Sequence, residues 1–146
     1  MAESYQYLRL TFAGGSYLLP STAGFTIEQR ESLHLNGDLT AHVTAWRVTR
    51  NARWPAYALD QEFQVTRRDD WQRAVFVEAM PHAIGIIVDD VHLLPRSPAQ
   101  ASTFTPLGPV PTAAGHLFNG AWIADGQMML VLDPPAFVRY LQGLGD

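Results

Sequence analysis

The sequence contains no cysteine and no lysine, and all ten of its basic residues are arginine. Without cysteine the chain forms neither disulfides nor thiolate metal sites, and cysteine nucleophiles are excluded. Without lysine it has no phosphate-loop lysine and no Schiff-base lysine, which removes several enzyme classes at once. A reducing cytoplasm is the simplest location for a chain of this composition.

The sequence also lacks a long apolar run and an excess of positive charge. Its longest apolar stretches, such as residues 83–88, fall far short of the ~20 residues that span a bilayer. No basic region followed by a sustained apolar one opens the chain, so we expect a soluble protein without an export signal or direct membrane insertion. The net charge of −4 argues weakly against a nucleic-acid partner, although a local basic patch is compatible with it.

What the chain does have is enough apolar sequence for one domain over residues 1–146. Its hydrophobic fraction is 47%, and a chain of this size removes roughly 68–70% of its unfolded surface from water on folding. Alternation over residues 5–12 predicts a strand whose Leu8, Leu10 and Phe12 point inward, and residues 13–16 turn the chain into a second strand.

Strand signals continue along most of the chain. Asn36-Gly37 predicts a tight turn, and Pro55 favours an extended Trp54, after which residues 56–63 are predicted as a short helix. Further strands are predicted at residues 25–29, 32–35, 39–49, 74–78 and 84–91.

The last third reads as a long connection, a hairpin and a helix. Residues 95–115 hold five of the ten prolines and no periodic apolar pattern, which indicates no regular element. Asp125-Gly126 predicts a hairpin between residues 116–124 and 127–132. Asp133-Pro134 then predicts the start of a C-terminal helix, and no internal repeat is visible in the sequence. The fold class is therefore all-β with a C-terminal helix.

Residues that carry chemistry are few, and we predict no catalytic residue, metal site or cofactor. Asp89 and Asp90 follow each other on a predicted strand, so their side chains point to opposite faces and cannot share a proton as a catalytic dyad. The five histidines show no paired zinc spacing, and no cysteine is present to complete a site. We interpret the chain as a non-enzyme.

Four segments together resemble the CheW-like domain, the adaptor that couples chemoreceptors to a histidine kinase in bacterial chemosensory arrays. Gly85 to Val91 matches the family's Gly-hydrophobic-hydrophobic-Val-Asp-x-Val strand. Gly120 to Gly126 resembles Gly-x-Ala-x-x-Asp-Gly, with Trp122 at the alanine position, and Met128 to Asp133 matches the apolar strand that ends in Leu-Asp. Residues 5–20 are similar to the family's opening hairpin.

The resemblance implies a fold of two intertwined, small, five-stranded SH3-like β-barrels, with an ordered crossover that carries a short helix within residues 95–115. It also implies a non-catalytic adaptor. The expected partners are the regulatory domain of a histidine kinase, the cytoplasmic tip of a chemoreceptor and other adaptors of the same type.

The resemblance further implies a set of protein-binding residues. Family members carry Asn-Leu-Arg-Gly and, four residues later, Pro, where this chain has Val48-Thr49-Arg50-Asn51 and Pro55. Arg50 matches the motif arginine, and Asn51 is expected to adopt the left-handed conformation in place of glycine. On the Gly85 strand the predicted contacts are Val88, Asp89 and Val91. Asp89 is expected to hydrogen-bond a nearby loop backbone, with an ordinary solvated carboxylate as the alternative.

A second hypothesis comes from the segment Trp46 to Arg73, which intersperses arginines with aromatic residues. That mixture is typical of proteins that bind single-stranded nucleic acid, where bases stack on aromatic rings. It is also typical of protein interfaces, which are rich in tryptophan, tyrosine and arginine. The acidic balance of the chain favours the interface, and a plain solvated strand-turn region is the third alternative.

Overall fold

The structure is a computed structural model that describes residues 7–79, 82–94, 100–103, 117–124 and 127–145. One α-helix, α1 (Pro134–Gln142), follows the strands, and a 3-10 turn spans Arg30–Ser32. The strands are β1 (Tyr7–Phe12), β2 (Gly15–Pro20), β3 (Phe25–Gln29), β4 (His34–Leu35), β5 (Val43–Val48), β6 (Arg53–Leu59), β7 (Val65–Thr66), β8 (Arg73–Ala79), β9 (His82–Val88), β10 (Asp90–Leu93), β11 (Gln100–Thr103), β12 (Phe118–Ala124) and β13 (Gln127–Leu132).

The strands form two barrels. The first barrel contains both ends of the chain, and the second barrel is formed by the middle of the chain. The strands of the second barrel are ordered β3-β8-β9-β6-β5-β4, and the short β7 pairs with β6. The strands at the two ends of this order, β3 and β4, follow each other in the chain and are separated by the 3-10 turn. Counted as one bent strand, they give a five-stranded, SH3-like arrangement in which β6 and β9 pair in parallel.

The first barrel combines the two ends of the chain. Its order is β10-β1-β2-β13-β12-β11, so the N-terminal hairpin pairs with the C-terminal one through a parallel contact between Leu18 and Val131. Its terminal strands, β10 and β11, are again consecutive in the chain. The predicted all-β fold of two intertwined barrels with a C-terminal helix is confirmed.

The two barrels share one topology, although the sequence shows no repeat. In each, two antiparallel hairpins meet through a parallel pair, and two consecutive strands occupy the two ends of the order. The hairpin β5–β6 therefore corresponds to β12–β13, and β8–β9 corresponds to β1–β2. Hydrogen-bond topology is satisfied by many sequences with the same alternation, so the repeat leaves no visible trace in the residues.

Apolar side chains fill the space between the barrels and the interior of the second barrel. The shared core takes the predicted inward face of β1 and the buried side of α1. The interior of the second barrel is lined largely by alanines, and the ring of Phe76 occupies the room that Gly85 leaves opposite it. An added Cβ at Gly85 would lie 2.8 Å from that ring, so the glycine allows a side chain of β8 to approach the β9 backbone closely.

The predicted helix at residues 56–63 is wrong, because residues 56–59 belong to β6 and residues 61–63 form a turn. Residues 56–59 are buried on both faces of the sheet, so the run shows no alternation between polar and apolar residues. Alanines at 56 and 58 are good helix formers, which misled the prediction, whereas the extended Trp54-Pro55 is confirmed.

The remaining strand and hairpin predictions agree more closely with the structure. The predicted strand 84–91 is broken at Asp89 into β9 and β10. The hairpins β1–β2 and β12–β13 form as expected, and β8–β9 is a further antiparallel hairpin. The Asp125-Gly126 turn and most of residues 95–115 lie outside the described residues, except that 100–103 form a strand. The short helix expected in that connection therefore stays a prediction.

Candidate protein-docking surface

The hairpin between β5 and β6 places Arg50 and Asn51 at its tip. The Thr49 N–H donates to the Ala52 carbonyl at 2.8 Å, and the Thr49 hydroxyl donates to the same oxygen at 3.1 Å. Both tip residues are exposed. Asn51 does not adopt the expected left-handed conformation, since the described non-glycine residues with positive φ are Ala13 and Phe63.

One side of this hairpin presents apolar and cationic groups together. Val48 pairs with Arg53 across the strands and is 50% exposed. The Arg53 guanidinium lies 4.1 Å from the centre of the Trp46 ring, a distance at which the ring face attracts the cation. We call Trp46, Val48, Arg50, Asn51 and Arg53 the hairpin surface.

The charges on this hairpin differ in how they are compensated. Arg47 points to the other face, where its Nε lies 3.3 Å from a carboxylate oxygen of Glu28. Within the described part of the chain, neither Arg50 nor Arg53 forms an ion pair with a carboxylate. The hairpin surface therefore offers two positive charges beside an exposed valine, which suits an acidic protein partner with an apolar contact.

The three predicted contacts on the Gly85 strand have very different exposures. Val88 has no exposed surface and lies in the shared core, so its side chain cannot touch a partner directly. Val91 is half-buried and packs against the same core, whereas Asp89 is exposed. Of the three, only Asp89 has an exposed side chain.

Asp89 lies where the chain crosses from the second barrel to the first. Its N–H donates to the Thr11 carbonyl of the first barrel at 2.7 Å, and its carboxylate accepts a hydrogen bond from Arg68 of the second. The expected partner was a loop backbone, and the structure gives the side chain of a loop arginine instead. The Asp89 carboxylate raises the pKa of Arg68, chiefly through this hydrogen bond.

Asp90 has a separate set of partners, in line with the expectation that the two aspartates point apart. Its carboxylate lies 2.7 Å from Nε2 of His92, accepts the Val91 N–H at 3.0 Å and lies 3.8 Å from Arg73. The hydrogen bond with His92 is the main cause that lowers the pKa of Asp90. Each aspartate thus serves as an acceptor for different groups.

The aromatic residues that motivated the nucleic-acid hypothesis are mostly inside the protein. Tyr57, Phe63 and Trp71 are exposed by 3%, 7% and 2%, so their rings cannot stack on bases. Arg67 donates to the backbone carbonyls of three residues between 36 and 41, at 2.7 to 3.1 Å, and is likewise occupied. The geometry favours the protein interface.

Across the described ranges, no cluster of three or more histidine, aspartate or glutamate residues could hold a metal ion. His116 lies outside those ranges. In the same part of the chain, no helix combines the length and the apolar character needed to cross a bilayer.

The family motif predicted the hairpin tip, and the segment Trp46 to Arg73 included Trp46 and Arg53, but Val48 was not among the predicted contacts. A two-residue turn at Arg50-Asn51 brings Val48 and Arg53 opposite each other and places Trp46 next to them on the same face, since side chains two apart share a face. The alternation in residues 46–48 carried that signal.

The model of the CheW-like domain family matches residues 30–142, a span that includes the hairpin surface and the Gly85 strand but not the N-terminal hairpin. The scaffolding protein TtCheW from Thermoanaerobacter tengcongensis has a similar solved structure, with a TM-score of 0.65, 19% sequence identity and coverage of 90% of each chain. No curated protein matches the sequence. The chain belongs to the CheW-like domain family.

Proposed function

We propose that this protein is a cytoplasmic adaptor that couples chemoreceptors to a histidine kinase in a bacterial chemosensory system. CheW-like domains are non-catalytic scaffold domains of chemotaxis, and the fold of this chain matches a scaffolding protein of that kind. Its partners are then the regulatory domain of the kinase, the cytoplasmic tip of a receptor and other adaptors of the family. No reaction is catalysed, so binding geometry is the whole mechanism.

The hairpin surface is the observation that carries the proposal. It combines an exposed valine, a tryptophan and two arginines that pair with no carboxylate among the described residues. Arginine and tryptophan supply much of the binding energy in protein interfaces, and charges at the rim mainly set the rate of association. The Trp46 ring holds Arg53 in place, which reduces the conformational entropy lost on binding.

Substitution of the tip arginine tests the proposal. Arg50→Glu should weaken capture of the purified kinase, because it reverses the charge offered to an acidic partner. The free energy of unfolding should change by no more than about 0.5 kcal/mol, as is usual for an exposed site. Binding by surface plasmon resonance and thermal unfolding measure the two effects.

A matched control is available on the helix. Arg139 is exposed on α1, so Arg139→Glu makes the same change in net charge away from the hairpin surface. Loss of binding by Arg50→Glu with retention by Arg139→Glu supports the assignment. Equal binding by both variants would remove the hairpin surface from the interface, and absence of binding by the wild-type protein would remove the kinase as a partner.

A further inference from the structure

The connection between β6 and β8 belongs to the second barrel, yet it inserts a side chain into the first. Phe63, in this connection, is 7% exposed. Its ring centre lies 5.7 Å from that of Phe12, 5.2 Å from Tyr17 and 5.8 Å from Phe118. All three partner rings come from strands of the first barrel, so Phe63 joins the barrels through an aromatic cluster.

The backbone at Phe63 is strained. Its φ of +62° lies in the left-handed region, which is a genuine outlier for a bulky residue. The loop around it is held by Asp60, whose carboxylate accepts the N–H groups of Glu62 at 2.8 Å and Gln64 at 3.0 Å. The Tyr140 hydroxyl of α1 donates to the Phe63 carbonyl. Contacts from both barrels and the helix thus hold this residue in an unfavourable conformation.

The same connection also contacts the crossover between the barrels, through Arg68. Arg68 bonds the carboxylates of Asp89 and Asp70, and Asp89 in turn bonds the first barrel through its N–H. The side chains of Arg68 and Asp89 are 25% and 37% exposed, so water can replace this pair at small cost. The connection therefore makes two contacts outside the second barrel. The strained residue Phe63 contacts the first barrel, and Arg68 contacts the crossover through a partly solvated ion pair.

We propose that residues 60–72 form a strap that fixes the angle between the two barrels, with Phe63 as its latch, and that the molecule has a second state in which the latch is open. When the ring leaves its cluster, the backbone at Phe63 relaxes to a negative φ and the Arg68 pair loosens. Each barrel keeps its own strand pairing, so the change is a shear within the shared core. This inference does not depend on the proposed function.

Distance measurements between the barrels test the strap, and the absence of cysteine makes labelling simple. Asn51→Cys on the second barrel and Met128→Cys on the first, both at exposed positions, would carry nitroxide spin labels. Pulsed electron paramagnetic resonance should give one narrow distance peak for the labelled wild-type background. Adding Phe63→Ala should move the main peak to a new distance, while circular dichroism still reports a folded β protein.

Two further variants keep the test decisive. Ala13→Gly alters the other described non-glycine residue with positive φ, which lies in the β1–β2 turn, and should leave the distance unchanged. If Phe63→Ala does not fold, the milder Phe63→Leu takes its place in the same measurement. A folded Phe63 variant with the wild-type distance peak would overturn the strap, since Phe63 would then be an ordinary core residue.

Discussion

Gly85 lies at the centre of the second barrel, and adding a single methyl group there should destabilise the protein. The Cβ of Gly85→Ala would lie 2.8 to 2.9 Å from three carbons of the Phe76 ring. That ring is 1% exposed and lies in the interior of the barrel, so it cannot swing into solvent. Overpacking of this kind costs about 1–3 kcal/mol, which corresponds to a fall in Tm of roughly 2–12 °C for a chain of this size.

Thermal and urea unfolding would measure the effect, with Gly37→Ala as the matched control. Gly37 is exposed, and an added Cβ there meets no atom within 4 Å. Its substitution should leave the stability unchanged or raise it by up to about 1 kcal/mol, because alanine reduces the entropy of the unfolded chain.

A double-mutant cycle with Phe76→Leu identifies the cause. If the methyl group collides with the ring, replacing the ring with the smaller leucine side chain relieves the collision. The loss of stability in the double variant is then smaller than the sum of the losses in the two single variants. The expected coupling is about 0.5–3 kcal/mol. Additive losses, or a Gly85→Ala protein as stable as the wild type, would refute the packing argument.

Three further outcomes follow from described contacts. Ala13→Gly should stabilise the protein by about 1 kcal/mol in urea unfolding, because glycine adopts the positive φ of 52° without strain. Burial raises the pKa of Tyr17 and of Tyr140 above the ordinary value of 10.0, so both should ionise late in a tyrosinate absorbance titration, and stability should fall as the pH rises above that value. Arg67→Gln should speed amide exchange in residues 36–43 and cost about 1–3 kcal/mol, since it leaves carbonyls without their donor.

The sequence predicted most of the fold because its hairpins are local. Leu8 and Leu10 alternate with polar neighbours on a sheet with one apolar core, and their inward direction could be predicted from that pattern alone. Tyr57 and Leu59 lie in a strand that is buried on both faces, where alternation disappears, so that region was assigned to a helix.

The candidate site was predictable only in part, for a related reason. A motif identifies a position in the chain, as it did for Arg50, but exposure depends on what packs against the strand. Val88 lies within a strand that is covered on both faces, whereas Asp89, one residue later, is at the surface. Whether Arg50, Asn51, Val88, Asp89 and Val91 contribute to binding stays a prediction.

The pairing of Leu18 with Val131 has a consequence for synthesis on the ribosome. The second barrel is continuous in the chain and can close soon after β9 emerges, whereas β1 and β2 wait for β12 and β13 to be translated. Until then the shared core around Leu8, Leu10 and Phe12 lacks the side chains that β13 and α1 supply, such as Leu132 and Phe137. Premature termination before β13 would therefore release a protein with an incomplete first barrel and an exposed apolar surface, which chaperones and proteases recognise.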